Sequence, residues 1–156
     1  MVSDCVFCDI VAGRAPASVV YEDEVALAIM DIRPVNPGHI LVIPRRHSGF
    51  LAEMDEATGM HLFTIAMRMA QALRRSGLRC EGINLFLADG EAAFQEVLHV
   101  HLHVLPRFTG DAFRIAADWS AQPTRAELET NAARIRGAYE SLWSDKDGWE
   151  RDTQVC

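Results

Sequence analysis

Histidine alternates with aliphatic residues over six consecutive positions, from His99 to Val104, and Leu105 follows. Strict alternation of this length is typical of a β-strand, because successive strand side chains point to opposite faces of the sheet. The aliphatic side chains are expected on the core face: Val100, Leu102 and Val104. The imidazoles are expected in a row on the other face, about 6.6 Å apart: His99, His101 and His103. Pro106 is expected to close the strand, because proline cannot donate to a sheet ladder.

A row of imidazoles suits two kinds of chemistry. Neutral imidazole is a common metal ligand, and a pKa near neutrality also suits proton transfer and nucleophilic attack. A catalytic metal would need a further ligand and an open coordination position, and His39 at the start of another predicted strand could approach. Alternatively, one ring nitrogen attacks a phosphorus centre while a neighbouring histidine protonates the leaving group. The third interpretation is a strand that carries histidines without a function.

The rest of the pattern predicts one antiparallel α+β sheet of five strands, covered on one face, with one long helix and a C-terminal helix. The predicted strands are Val19–Tyr21, Val25–Met30, His39–Ile43, Ile83–Leu87 and a histidine strand that begins near Val97. The long helix is expected from Asp55 to Ser76, and a capping box at Thr124 begins the C-terminal helix. The buried stripe of the long helix follows helical spacing: Leu62, Ile65, Ala66, Met69 and Leu73. A short helix is expected from Asp4 to Gly13.

The length of 156 residues fits a single domain. We expect that domain over residues 1–144, followed by a polar and mobile tail over residues 145–156. The net charge of −7 argues against broad binding to nucleic acids or membrane surfaces, although it allows a small anionic ligand. The N-terminus lacks the order of a signal peptide, and no apolar run reaches membrane-spanning length. A cytoplasmic location is therefore expected, in which the four cysteines are thiols or metal ligands.

Cys5 and Cys8 are three residues apart in the first predicted helix, so one turn brings both sulfurs to the same side. Two thiolates make half of a structural zinc site, which takes four ligands. His47 and His99 are candidates for the other two ligands, because each lies at the end of a predicted strand. A redox pair and two core thiols are the alternatives, although a thioredoxin-like pair should follow a strand.

Two longer motifs make the chain resemble the histidine triad (HIT) family of nucleotide hydrolases and transferases. The first is the triad itself, His-x-His-x-His followed by apolar residues, within Gly82–Arg107. The second is Asp-Ile-x-Pro-x-x-Pro-x-His-x-Leu-Val-Ile-Pro, within Ala28–His47. With Cys5–Pro16 and a looser match in the C-terminal helix, the resemblance covers most of the chain and implies a HIT-like fold.

The resemblance implies a covalent mechanism at the α-phosphate of a nucleoside phosphoramidate or a dinucleoside polyphosphate. His101 would be the nucleophile that forms a nucleotidyl-histidine intermediate, His103 would aid the leaving group, and His39 would support the imidazoles. Asp31 would accept hydrogen bonds from the ribose hydroxyls, and Gln95 would donate to phosphate oxygens. A purine base would lie among apolar side chains, which composition alone would assign to the core: Val6, Phe7, Ile10, Ile29 and Ile32.

The Cys-x-x-Cys variant of the family further implies one structural zinc per chain and no metal in the chemistry. Its ligands would be Cys5, Cys8, His47 and His99. The resemblance also implies a homodimer formed through the long helix and an edge strand. Two alternatives stay open: a nucleotide- or partner-binding module with little turnover, and a metal-dependent hydrolase that uses the histidine row.

Three positions depart from the residues that family members often carry, all on the phosphate side of the implied site. Ala88 stands in place of Asn or Gln and removes a donor, and Phe94 stands in place of Gly and adds bulk. Glu96 stands in place of Ser or Thr and adds a carboxylate, which would repel an anionic substrate unless a cation or Arg107 offsets it. These departures motivate the binding-module alternative and a re-targeted substrate.

Overall fold

The computed structural model describes residues 5–143. Its strands are β1 (Val19–Glu22), β2 (Ala26–Met30), β3 (Ile40–Pro44), β4 (Gly82–Leu87) and β5 (Leu102–Arg107). Within the described range they form one antiparallel sheet in the spatial order β1-β2-β3-β5-β4. The helices are α1 (Val6–Val11), α2 (Glu56–Arg75) and α3 (Arg125–Trp143). The predicted α+β architecture, with five strands, a long helix and a C-terminal helix, is confirmed.

The chain divides into two compact units at the bond between Arg114 and Ile115. The first unit contains the whole sheet with α1 and α2, and the second contains α3. At the start of α3 the Thr124 N–H donates to Glu127 Oε2 at 2.7 Å, as the predicted capping box requires. The single domain over residues 1–144 stays a prediction. The predicted tail over residues 145–156 and the predicted helix start at Asp4 lie outside the described residues.

The long helix α2 packs on one face of the sheet. Asp55 caps its first turn, where Oδ1 accepts the Thr58 N–H at 2.9 Å. All five residues of the predicted stripe are buried: Leu62, Ile65, Ala66, Met69 and Leu73. They share one core with the aliphatic residues of the triad segment: Val100, Leu102 and Val104. Within residues 5–143, none of the helices combines the length and the apolar composition that crossing a bilayer requires.

A second core lies on the opposite face of the sheet, because α1 also packs there. Phe7 of α1 contacts the buried residues of β2 and β3 that point to this face: Leu27, Ile29, Leu41 and Ile43. The prediction of a sheet covered on one face only is therefore wrong. Strand β3 lies between the two cores and is buried at all five positions. The histidines of the triad point to the α1 side.

The strand that follows the triad begins later than predicted, at Leu102. Before it, the His99 N–H donates to Val97 O at 2.8 Å and the Val100 N–H donates to Ser48 O at 2.7 Å. These bonds replace a ladder, so the segment around His99 is not a strand. The ladder starts where β3 and β4 pair with β5 on both sides.

Pro106 lies inside β5 instead of closing it, so this prediction is also wrong. On one side Pro106 pairs with Ile83 of β4, while the pairing with β3 ends at Val104. The Pro106 carbonyl accepts a hydrogen bond at 2.9 Å from the side chain of Asn36, a residue in the loop before β3. The missing N–H of Pro106 therefore faces the side where β3 has already ended, and no ladder bond is lost.

Candidate active site and metal centre

The three histidines of the triad occupy one side of the sheet but make different contacts. His99 and His101 are buried, and His103 is partly buried. The ring centroids of His101 and His103 are 4.9 Å apart. The ring of His99 turns to His47 instead, with centroids 5.0 Å apart. The row therefore divides into a pair of neighbouring imidazoles and a third imidazole with separate partners.

His101 is held by the backbone of its own segment. Its Nδ1 lies 2.7 Å from the carbonyl oxygen of His99, and because a carbonyl only accepts, Nδ1 carries the proton. Nε2 of a neutral His101 is then the nitrogen with the free lone pair. The ring of Phe7 packs edge-on against this imidazole, with centroids 5.2 Å apart. A fixed tautomer on a buried ring is what a nucleophilic histidine requires.

His103 continues into a hydrogen-bonded line with His39 and Asp31. Nδ1 of His103 lies 2.8 Å from Nε2 of His39. Nδ1 of His39 lies 3.3 Å from Asp31 Oδ2 and also 3.3 Å from the Val35 N–H. When Val35 donates to Nδ1, Nε2 of His39 carries its proton and donates to His103. Nε2 of His103 then carries the one proton of the neutral ring.

Burial keeps the imidazoles of His103 and His39 neutral. Burial lowers the pKa of His103 to about 4, helped by the charges of His101 and His39 and opposed by those of Asp31 and Glu96. Burial also lowers the pKa of His39, against the opposing charge of Asp31. Without a ligand at neutral pH, His103 is therefore a neutral ring that can accept a proton.

The two cysteines of α1 meet two histidines beside this site. Cys5 Sγ lies 3.4 Å from Nδ1 of His99. Cys8 Sγ lies 3.3 Å from Nδ1 of His47 and 3.7 Å from Nδ1 of His99. The four candidate ligand atoms all lie within 4.8 Å of one another. The structure thus brings together the four residues that were expected from the sequence to be zinc ligands.

The donor set and its spacing fit zinc. With Zn–S near 2.3 Å and Zn–N near 2.0 Å, a tetrahedral site places sulfur and nitrogen about 3.5 Å apart, close to the distances given above. The His99 Nε2–H donates to the Pro44 carbonyl at 2.9 Å, which leaves Nδ1 as the ligand atom. Burial and the neighbouring Cys5 thiol raise the pKa of Cys8 to about 11. A divalent cation would reverse that shift.

Among the described residues, the possible metal-ligand groups do not bring the three histidines of the row together. Nδ1 of His101 is engaged by a carbonyl, and the ring of His99 belongs to the cysteine cluster. A second group of possible ligands consists of Asp31, His39 and His103. Their short distances are those of the hydrogen-bonded line described above.

The five apolar residues predicted for the base pocket do not share one environment. Phe7 and Ile29 are buried in the second core, and Ile10 packs at its edge. Val6 is 47% exposed and Ile32 is 92% exposed. Ile32 is followed by Arg33, whose N–H donates to Asp31 Oδ1 at 2.7 Å. Their contact with a base and the contact of Asp31 with a ribose stay predictions.

Gln95 is buried and holds two loops together. Its Nε2 donates to the Gly49 carbonyl at 2.7 Å, and its Oε1 accepts the Gly90 N–H at 2.7 Å. The amide nitrogen carries a second hydrogen, so the predicted donation to a phosphate oxygen stays a prediction. Ala88 is buried and offers no side-chain donor.

The departures at Phe94 and Glu96 have distinct structural settings. Phe94 has φ +65°, the left-handed region that favours glycine, and its side chain is 84% exposed. Glu96 Oε2 lies 2.5 Å from Nη2 of Arg33. Of the two options for offsetting Glu96, a cation or Arg107, the structure supplies another cation, Arg33. Arg107 forms a two-pronged pair with Asp111 instead.

Several partners in the site left no signal in the sequence. They are Arg33 for Glu96, the Val35 N–H for His39, and the His99 carbonyl for His101. Arg33 and Glu96 are 63 positions apart, so no local spacing relates them. The other two contacts use backbone atoms, which every residue type carries.

The chain is similar to known proteins in sequence and in fold. A family model described as HIT domain matches residues 12–110. An uncharacterised HIT-like protein of Mycobacterium tuberculosis is 46% identical over 112 residues, which cover 72% of this chain and 77% of that protein.

Two crystal structures show the same fold. One, of a Streptococcus mutans protein, matches with a TM-score of 0.83 and 38% identity over 90% of this chain and 88% of that chain. The other, of a Zn-bound histidine triad family protein from Mycobacterium smegmatis, matches with a TM-score of 0.69 and 42% identity. This second match covers 86% of this chain and 97% of the Mycobacterium smegmatis chain.

Proposed function

The chain belongs to the HIT domain family, and from this premise we propose that it is a nucleotide-binding hydrolase or transferase with a covalent histidine intermediate. The substrate is a nucleoside phosphoramidate or a dinucleoside polyphosphate, and the reacting centre is its α-phosphorus. The observation that carries the proposal is the 2.7 Å contact between Nδ1 of His101 and the His99 carbonyl. It fixes the tautomer whose Nε2 can attack.

In the first step, Nε2 of His101 forms a bond to phosphorus while the bond from phosphorus to the leaving nitrogen or oxygen breaks. In the complex with substrate His103 is an imidazolium, which the negative charge of the bound phosphate favours. The leaving atom takes its Nε2 proton and leaves a neutral ring. His101 keeps its Nδ1 proton and becomes positively charged in the nucleotidyl intermediate. The His99 carbonyl accepts a hydrogen bond from that Nδ1–H throughout, so it stabilises the charge as it develops.

In the second step, a water oxygen bonds to phosphorus and the bond between phosphorus and His101 Nε2 breaks. The water proton passes to Nε2 of His103, which restores its starting state. His39 lies between His103 and the carboxylate of Asp31, and it therefore supports the changing protonation of His103. An acceptor other than water would make the same reaction a nucleotidyl transfer.

We further propose that Cys5, Cys8, His47 and His99 hold one structural zinc per chain. The spacing of their donor atoms supports this role. Zinc would supply a rigid tetrahedral junction between α1, the segment after β3 and the triad, with no part in the phosphorus chemistry. The ring of His99 would be fixed on both nitrogens, by zinc and by the Pro44 carbonyl.

The proposed partner is a second copy of the chain. Strand β4 lies at the edge of the sheet and exposes Leu85 and Phe86. The outer face of α2 exposes Met60, Phe63 and Met67. Exposed apolar surface on a helix and on a neighbouring edge strand favours a homodimer through these two elements.

The test is capture of the intermediate with an adenosine phosphoramidate. We expect the intact protein to turn it over and, after an alkaline quench, to carry one nucleotidyl group on His101. His101→Ala should lose both properties. His61→Ala should keep them, because His61 lies on α2 and its ring pairs with Asp23. Attachment at another residue would overturn the mechanism. Binding without turnover would favour the binding-module alternative, which Phe94 and Glu96 motivate.

A further inference from the structure

Arg33 and Glu96 join the two loops that carry the site residues. Nη2 of Arg33 lies 2.5 Å from Oε2 of Glu96. Arg33 belongs to the loop between β2 and β3, which also contains Asp31 and leads to His39. Glu96 belongs to the loop that leads from β4 to the triad. The ion pair therefore connects the proposed ribose side of the site with its phosphate side.

Both ends of the pair start from anchored backbone. The Arg33 N–H donates to Asp31 Oδ1 at 2.7 Å, in the same carboxylate that faces His39. Glu96 follows Gln95, whose buried amide is bonded to Gly49 and Gly90. The two side chains themselves are 78% and 70% exposed, so a ligand can reach them.

The position of the pair relative to His103 indicates which part of a substrate it contacts. The Arg33 N–H donates to one oxygen of Asp31, and the other oxygen lies 3.3 Å from Nδ1 of His39. Nε2 of His39 lies 2.8 Å from Nδ1 of His103, so polar contacts link the Arg33 backbone to that imidazole. His103 is the proposed proton donor to the leaving group. A leaving group in contact with His103 therefore comes within reach of the Arg33–Glu96 pair.

The local balance of charge is unfavourable to an anionic leaving group. Asp31 and Glu96 contribute two carboxylates, Arg33 contributes one cation, and His39 and His103 are neutral. An anionic group could bind Arg33 only by taking it from Glu96, which would leave a like charge beside the incoming anion. A neutral or cationic amine imposes no such exchange.

We propose that the Arg33–Glu96 pair selects the leaving group by its charge and favours neutral or cationic amines over anionic groups. This makes phosphoramidates of uncharged or basic amines better substrates than dinucleoside polyphosphates. The inference rests on the proposed function, because it assigns a selectivity to the same reaction.

The test uses three adenosine phosphoramidates of similar length whose leaving amines are butylamine, 1,3-diaminopropane and β-alanine. These amines are respectively neutral, cationic and anionic at their far end. For the intact protein, kcat/KM should be lowest for the β-alanine substrate. Exposed ion pairs have energies of a fraction of a kcal/mol to about 1 kcal/mol, so we expect differences of about two- to fivefold. The differences should shrink at high salt, because both side chains are exposed.

Two variants should move the selectivity in opposite directions. Glu96→Gln leaves Arg33 unpaired and should raise the ratio of anionic to cationic turnover. Arg33→Gln leaves Glu96 unpaired and should lower the same ratio. The variant with both substitutions has neither charge, so its ratio of anionic to cationic turnover should lie between those of the two single variants. A pair that only braces the two loops would change the unfolding temperature of all three variants without these opposite shifts.

The matched control is Glu81→Gln, which removes the same charge from an exposed ion pair with Arg79. Glu81 precedes Gly82, which pairs with Arg107 of β5. Arg107 is four residues from His103 along the strand, a distance of roughly 13 Å. Its ratio should match that of the intact protein. Equal ratios in Glu96→Gln and Arg33→Gln would overturn this inference and leave the mechanism standing. Absence of turnover with the butylamine substrate would overturn the proposed function together with this inference.

Discussion

The carbonyl oxygen of His99 accepts a hydrogen bond from the Nδ1–H of His101, with 2.7 Å between the nitrogen and the oxygen. The ring of His99 meanwhile contacts the sulfurs of Cys5 and Cys8. One residue therefore belongs to the proposed metal centre through its side chain and to the proposed active site through its backbone. A disturbance of the metal centre should reach the proposed nucleophile across a single residue.

We predict that Cys8→Ser binds much less zinc than the intact protein and has about a tenfold lower kcat. The loss of the metal would affect His101 only indirectly, through His99, and indirect effects at metal sites are of this order. Metal content per chain and the NMR signal of the His101 Nδ1–H would report the two consequences separately. Cys80→Ser is the control, since Cys80 contacts the Gly82 carbonyl outside the metal cluster. Full zinc content in Cys8→Ser would contradict the assignment of the ligands.

Stability should fall as the pH drops from about 6.5 toward 4. The pKa of His103 is about 4 in the folded protein and near 6.5 in an unfolded chain, so the unfolded state binds the proton first. The stabilisation is thus fully present above pH 6.5, and the loss could reach about 3 kcal/mol by pH 4. Urea unfolding across this range should give a shallower pH dependence for His103→Gln. Equal slopes would show that His103 is not buried in its neutral form.

Phe94→Gly should raise the free energy of unfolding by about 0.5–1 kcal/mol. The gain comes from relief of the left-handed backbone, reduced by the greater freedom of glycine in the unfolded chain. Phe94→Ala is the matched control: it removes the exposed ring but keeps the unfavourable φ, so its stability should stay near that of the intact protein. Denaturant unfolding measures all three proteins. A gain in Phe94→Ala as large as in Phe94→Gly would exclude backbone strain as the cause.

Phe63→Glu should convert the proposed homodimer into a monomer, because it places a charge in the exposed apolar face of α2. Ala72→Glu is the control on the same helix. Nine residues correspond to two and a half turns, so Ala72 lies on the opposite side from Phe63. Sedimentation of both variants and the intact protein would decide the matter. A monomeric intact protein would refute the proposed homodimer.

The sequence predicted the periodic parts of the fold well, for physical reasons. The buried stripe of α2 and the core positions Val100, Leu102 and Val104 follow from side-chain periodicity alone. The limits of β5 did not, because they depend on tertiary partners. Ser48 takes the Val100 N–H away from a ladder, and Asn36 satisfies the carbonyl of Pro106.

The candidate site divides in the same way. Residue type and spacing predicted the grouping of Cys5, Cys8, His47 and His99, which the structure brings together. They suggested that a cation or Arg107 could offset Glu96 but did not identify Arg33 as that cation, and Arg107 pairs with Asp111. Pairings between distant loops depend on the path of the whole chain, which no short pattern encodes.

The burial of β3 at all five positions limits where this protein can acquire new specificity. A strand enclosed by two cores has no side on which an altered volume can be absorbed, so libraries directed at Ile40–Pro44 should return mostly unfolded products. The loops that carry Arg33 and Glu96 project from the same framework with exposed side chains. Randomising those two positions should diversify the accepted substrates while the scaffold stays intact.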